Sequence, residues 1–252
     1  MRLDVAFVPA LRAPLHDASS SARLRLPARN RQLCIVVDVI RASTSLVTLV
    51  ERGASRVFIG GDIDSARAAA PRAGAVLVGE QDGLAPPGFT YGNSPVELSR
   101  ASVDGRPVVF VTTNGTAAIR AVTDAPTVLV GALRNGVAVC REAWEEAATH
   151  GDDITIVCAG REHAFAIDDA YCAGYLIDRI LESGSGDLTD AAIAAVALFR
   201  SEPDAQAVFT NSAAGRNVIR LGLADDITYC AQRDASDAVP RLGRELFLLE
   251  TL

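Results

Sequence analysis

The run Val36-Val37-Asp38-Val39-Ile40-Arg41-Ala42-Ser43-Thr44 and its echo Val108-Val109-Phe110-Val111-Thr112-Thr113-Asn114-Gly115-Thr116 decide the fold. Each is an apolar stretch of strand length that stops in a turn rich in hydroxyls, and a helix-like pattern follows each. A second apolar run then appears in both cases, Val57-Phe58-Ile59-Gly60 after the first and Val128-Leu129-Val130-Gly131 after the second. The chain therefore carries a duplicated strand-turn-helix unit. A Ser/Thr/Gly turn at a helix start presents free backbone N–H groups and hydroxyls to an anion, so two such ends side by side would form a phosphate or carboxylate site.

The rest of the chain continues the alternation. Strand patterns start at Val5, Cys34, Arg56, Ala75, Pro107, Thr127 and Ile154, and helical patterns run over 43–52, 63–70, 116–122, 136–150 and 165–181. Residues 190–200 look helical behind a Thr189 cap, and 245–252 returns as a last strand or short helix. This predicts an α/β fold, a mainly parallel sheet with helices on both faces, in a single domain over residues 1–252. Ligands of such sheets sit beyond the carboxyl ends of the strands. Here those ends are 38–44, 79–83, 112–116 and 158–162, where polar residues gather.

Composition excludes several classes. The chain has 252 residues, 49% hydrophobic, enough for an ordinary core. Its apolar runs fall far short of the roughly 20 residues of a membrane span, and its start reads as a strand with no leader pattern, so a cytoplasmic protein is expected. The net charge is −7 with scattered basic residues, which argues against a nucleic-acid surface. All 24 basic residues are arginines. Without lysine the chain cannot build a Walker P-loop, a Schiff-base aldolase or a pyridoxal enzyme. Five cysteines, Cys34, Cys140, Cys158, Cys172 and Cys230, show no C-x-x-C spacing, so neither a disulfide framework nor a zinc site is expected.

The longest irregular segment, 79–97, holds Glu80 directly after an apolar strand and ends in Asn93-Ser94-Pro95-Val96-Glu97, a helix start with Ser94 as N-cap and Pro95 at the first position. These residues, with Asp38-Val39-Ile40-Arg41-Ala42-Ser43-Thr44, Gly79-Glu80, Pro87-Gly88-Phe89, Gly92-Asn93-Ser94-Pro95, Thr113-Asn114-Gly115-Thr116, Cys158-Ala159-Gly160, Asp168-Asp169 and Cys172-Ala173-Gly174, resemble the 2-phosphosulfolactate phosphatase (ComB) family of coenzyme M biosynthesis. The resemblance implies a magnesium-dependent phosphomonoester hydrolase acting on a small, multiply anionic, three-carbon ester. Two departures stand out. Arg161-Glu162-His163-Ala164-Phe165 replaces a Gly-containing stretch, and Ser43 stands where Thr is common.

The chemistry follows from the residues as well. Phosphoryl transfer needs charge neutralisation on the phosphate and an oriented nucleophile. Magnesium favours carboxylate oxygens and water, and Asp38, Glu80, Asp168 and Asp169 are the acids at strand ends or helix starts. Asp38, Arg41 and Glu80 are the expected catalytic residues. Ser43, Thr44, Asn93, Thr113, Asn114, Gly115, Thr116, Cys158 and Gly160 are the expected substrate contacts. Either a water attacks phosphorus, or Asp38 attacks to give an acyl phosphate. Plainer readings stand beside these: Asp168 and Asp169 as acids at a helix's positive end, Thr116 as an N-cap, His163 as a structural histidine and Arg41 as a surface ion pair. A cysteine phosphatase would want Arg where Ala164 stands, and a haloacid-dehalogenase site would want Asp where Ile40 stands. A non-catalytic protein that binds a phosphorylated acid, or a metal-dependent lyase or isomerase of one, would use the same pocket. An oligomer, if formed, is expected to be a homodimer.

Overall fold

The fold comes from a computed structural model, which describes residues 1–9, 31–162 and 164–251. His163 lies outside the described residues. In chain order the elements begin with strand β1 (Arg2–Ala6), strand β2 (Gln32–Val37), helix α1 (Ala42–Glu51), strand β3 (Arg56–Ile59), helix α2 (Ile63–Ala73) and strand β4 (Val76–Gly79). Helix α3 (Pro95–Leu98), strand β5 (Pro107–Val111), helix α4 (Gly115–Arg120), strand β6 (Thr127–Val130), helix α5 (Gly136–His150) and strand β7 (Asp153–Cys158) follow. Helix α6 (Ile167–Ser183), strand β8 (Asp187–Leu188), helices α7 (Asp190–Ser201), α8 (Ala205–Asn211), α9 (Ala213–Arg220) and α10 (Asp225–Cys230), and strand β9 (Leu246–Leu248) complete the chain.

The strands divide into two sheets, in the orders β6-β2-β7-β1-β8 and β4-β5-β3-β9, and every strand pairing within them is parallel. The expected parallel α/β architecture is present, shared between two sheets. The duplicated unit explains the division. The first copy leaves one sheet at β2, passes through α1 and joins the other at β3, while the second leaves at β5, passes through α4 and returns at β6.

Both faces of these strands are covered, which is why they read as continuous apolar runs. On β2, Leu33, Ile35 and Val37 pack with Val139 and Ala143 of α5 and Leu176 and Ile177 of α6. Cys34 and Val36 face the opposite way, into a core between the two sheets shared with Leu46 and Leu49 of α1, Ile119 of α4, and Val57, Ile59 and Phe110 of the second sheet. Phe58, Val109 and Val111 close the far face against Ala66 and Ala70 of α2.

Local chemistry sets the helix ends. Asp62 caps α2 by accepting from Ser65 N, Ser94 caps α3 by accepting from Glu97 N, and Thr189 caps α7 by accepting from Ala192 N. Helix α5 stops at Gly151 in the left-handed region at φ 70°, where a side chain would be strained. Helices α8, α9 and α10 have no counterpart in the sequence-based expectation. Helix α8 packs on α6 and α10 on α3, and α9, packed against both α8 and α10, brings Ala214, Asn217 and Val218 to the strand ends. Among the described residues no helix is long and apolar enough to cross a membrane.

Candidate active site

The carboxyl ends of β2, β4, β5 and β7, drawn from both sheets, open on one cavity of about 140 Å³. Its lining includes Asp38, Arg41, Glu80, Asn93, Thr113 and Asn114, six of the residues expected from sequence. The two repeated turns meet directly here. A β-carbon on Gly115 would lie 2.4 Å from that of Ala42 and 2.9 Å from Asp38 Oδ2, so only glycine lets the second turn approach the first.

Asp38 is half-buried at the end of β2. Its Oδ1 accepts a long bond of 3.4 Å from Ala42 N. Burial, with the charges of Asp168 and Glu80 adding to it, pushes its carboxyl up to about 7; the Ala42 N–H and Arg41 pull the other way without cancelling the effect. Glu80 is held by two backbone donors, Thr113 N at 2.7 Å to Oε1 and Gly83 N at 2.8 Å to Oε2, which fix it between the β5 turn and its own loop. Arg41 is 5% exposed. Its Nη1 donates to Asp226 Oδ2 at 2.9 Å and its Nη2 to the Gly83 carbonyl at 2.7 Å. It borders the cavity, but its terminal nitrogens are tied to α10 and the 79–97 loop, so it is a buried ion pair rather than the free phosphate clamp expected.

Several expected contacts prove to be inward. Ser43 Oγ accepts from Asp38 N, and Thr44 Oγ1 donates to the Val39 carbonyl. Thr116 Oγ1 donates to the Thr112 carbonyl, and Thr112 Oγ1 accepts from Thr116 N. These hydroxyls close the turns on themselves because buried turn backbone must find partners. Cys158 is fully buried, and burial together with Asp169 raises its thiol well above the ordinary range, so it is inert. Asp169 accepts from Val39 N at 2.9 Å and Gly160 N at 3.0 Å, tying the β2 turn to the end of β7. Neither Asp169 nor Gly160 lines the cavity. Burial and the neighbouring Asp168 and Asp38 raise Asp169 well above the usual carboxylate range. Asp168 faces an adjoining cavity and is raised to about 6 by burial.

Sequence reasoning missed Asp226, whose Oδ1 accepts from Ser94 Oγ at 2.6 Å while Oδ2 holds Arg41. It also missed Asp82 and Asn217, and named Arg161 only as a departure; all three line the cavity. The acid pair Asp225-Asp226 at a helix start was the one available signal, and it reads equally well as a dipole effect.

Magnesium fits these residues in one form. Among the described residues, no three His, Cys, Asp or Glu side chains are grouped to cage a metal. Asp38 and Glu80 line the cavity beside Asn93, which is 4% exposed and whose Oδ1 is buried without a hydrogen-bonding partner. One or two carboxylates, an amide oxygen, waters and substrate phosphate make up the donor set that magnesium takes, and an orphaned buried oxygen is the mark of a missing partner.

Parallel strands of two sheets ending on one small polar cavity define an α/β protein with a strand-end site of small-ligand size. A family model described as 2-phosphosulpholactate phosphatase matches residues 21–245. A protein of Deinococcus radiodurans named "Probable 2-phosphosulfolactate phosphatase" is 40% identical over 212 residues, covering 83% of this chain and 87% of its own. Proteins of the same name from Thermus thermophilus and Carboxydothermus hydrogenoformans are 41% and 31% identical, covering 82% and 95% of this chain and 86% and 92% of their own. The chain belongs to the 2-phosphosulfolactate phosphatase family, a family of phosphoric monoester hydrolases.

Proposed function

We propose that the chain hydrolyses 2-phosphosulfolactate to sulfolactate and inorganic phosphate with magnesium, as a step of coenzyme M biosynthesis. The observation that carries this reading is the convergence of Asp38, Glu80, Asn93, Thr113, Asn114 and Arg161, from separate segments, on one cavity. The names of the relatives supply the substrate.

Asp38 and Glu80, with Asn93 Oδ1, would hold the metal, which supplies charge neutralisation for the phosphoryl oxygens. Arg161, Asn114 and Thr113 face the same space and offer donors to the phosphate and to the acid groups of the substrate. Arg41, fixed by Asp226 and Gly83, adds a positive charge that cannot move away. Asp38 would act in one of two ways. It takes the proton of an attacking water, or it attacks itself and is then freed by water; in both, the phosphorus–ester oxygen bond breaks and the alkoxide leaves with a proton. Acid-quenched enzyme carries label from a radioactive phosphate ester on Asp38 only in the second case.

The test is phosphate release from 2-phosphosulfolactate and phospholactate, with magnesium and with a chelator. Metal-dependent release from the first is the expected result. Binding without release would leave a phosphorylated-acid-binding protein, and a new organic product without phosphate would leave a lyase or isomerase.

A further inference from the structure

The strand-end cavity has a neighbour. Arg161, Glu162 and Ala214 line both it and a second, larger cavity of about 490 Å³. The two spaces differ in chemistry. The first is lined mainly by carboxylates, amides and arginines, whereas the second, which also carries Arg161, Glu162, Asp168 and Arg216, adds an apolar wall that includes Phe165, Ile167 and Ala213. Phe165 is 56% exposed and Ile167 39%, so two large apolar side chains stand open in the second cavity. Phe165 is positioned by an edge-on contact with Phe7, with ring centroids 5.4 Å apart.

The occupant of the second chamber follows from three constraints. It shares a wall with the site, so a substituent of the molecule whose phosphate sits at Asp38 and Glu80 can extend into it. The chamber is large enough for a ring, since an apolar cavity of about 150 Å³ already takes benzene. Its charged lining is balanced, Arg161 and Arg216 against Glu162 and Asp168, while the apolar wall rewards burial of hydrocarbon. Resting on the phosphatase reading above, we infer that the same site also hydrolyses phosphate monoesters of 2-hydroxy acids whose third carbon carries a bulky apolar group, aliphatic or aromatic, seated against Phe165, Ile167 and Ala213. The reaction is the same hydrolysis: water oxygen bonds to phosphorus, the phosphorus–ester oxygen bond breaks, and the hydroxy acid leaves with the proton.

The experiment compares phospholactate with the phosphate ester of 3-phenyllactate, identical except for the ring, using the full chain with magnesium, and 2-phosphosulfolactate as a reference. The inference expects kcat/KM for the phenyl ester to exceed that for phospholactate at least tenfold. Ala213→Trp fills the second chamber from an exposed position, so folding is not at stake, and it is expected to bring the ratio to about one; Phe165→Ala is expected to lower it. A ratio near one in the unmodified chain, with phospholactate or 2-phosphosulfolactate hydrolysed, overturns the inference and leaves the phosphatase reading intact. A tenfold ratio unaffected by either substitution overturns the assignment of this chamber. Release from none of the three esters overturns the phosphatase reading and the inference with it.

Discussion

Asp226 reaches the cavity-lining residues from α10 through its ion pair with Arg41, and both side chains are almost fully removed from solvent. Removing one member of such a pair strands the other's charge, at a cost of about 3–5 kcal/mol. Asp226→Ala should therefore lower the melting temperature by on the order of 10 °C, and Asp226→Asn, which keeps the shape and an acceptor oxygen, should lower it less; an unchanged melt in both would mean the pair contributes nothing. Asp38 and Glu80 should behave differently, because they face the cavity. Alanine at either is expected to abolish turnover without unfolding the protein, and Asn93→Ala to weaken manganese binding in a calorimetric titration at least tenfold. Retained activity in both acid variants would remove the metal-site assignment. At this scale the sequence made Asp38 and Glu80 legible because polar residues stood where apolar strands ended, and Asn93 because it belongs to the Gly92-Asn93-Ser94-Pro95 motif of the family resemblance. It could not show that Ser43, Thr44 and Thr116 turn inward, since a hydroxyl serving its own turn and one serving a ligand look alike in sequence. Asp226 was hidden because its partner is far along the chain.

The two repeated units define the site by where they touch. The turn after β2 and the turn after β5 come from different sheets, and the missing side chain of Gly115 lets Ala42 and Asp38 sit against it. A methyl group there would lie inside both contacts, so Gly115→Ala must push the turns apart by a few tenths of an ångström or more. Catalysis depends on placement at that level, and the expected outcome is a fall in kcat of at least tenfold with the fold retained, checked by steady-state kinetics beside far-ultraviolet circular dichroism. Unchanged kinetics would show that the turns can separate freely. The strand-turn-helix units, the Ser94 and Thr189 caps and helix α5 were legible because strand runs, cap residues and helical periodicity are local signals. The assignment of each strand to a sheet was not, because a strand apolar on both faces does not specify its neighbours. Helices α8 to α10 are short, and their apolar positions carry too few turns to establish a period.

Across the whole molecule, the carboxyls that stabilise the fold and those that work against it titrate in different ranges. Glu146, Asp62 and Glu250 are held below their ordinary values: Arg241 and Thr127 outweigh partial burial at Glu146, hydrogen bonds from Ser65 lower Asp62, and Arg120 lowers Glu250. Their contribution is present above the unfolded pKa, near 4, and is lost only as pH falls below it. Asp38, Asp168 and Asp169 lie the other way: burial raises Asp38 to about 7, Asp168 to about 6 and Asp169 well above its ordinary value. A carboxyl raised on folding favours the native state fully below its unfolded pKa, and that advantage disappears as pH rises through the folded pKa. Between about pH 5 and pH 8 Asp38 and Asp168 lose this advantage, so the melting temperature of the metal-free protein should fall across this window. Magnesium held at Asp38 and Glu80, as proposed, would reverse the logic, because a cation there would bind the ionised form and compete with the proton. Added magnesium should therefore do little at pH 5 and raise the melting temperature most at pH 8, and Asp38→Asn should remove both the magnesium effect and part of the metal-free slope. Calorimetric scans at half-unit intervals of pH measure all three; a metal-free melting temperature that is level or rising from pH 5 to 8 would contradict the strand-end cluster of shifted acids on which the proposed metal site depends.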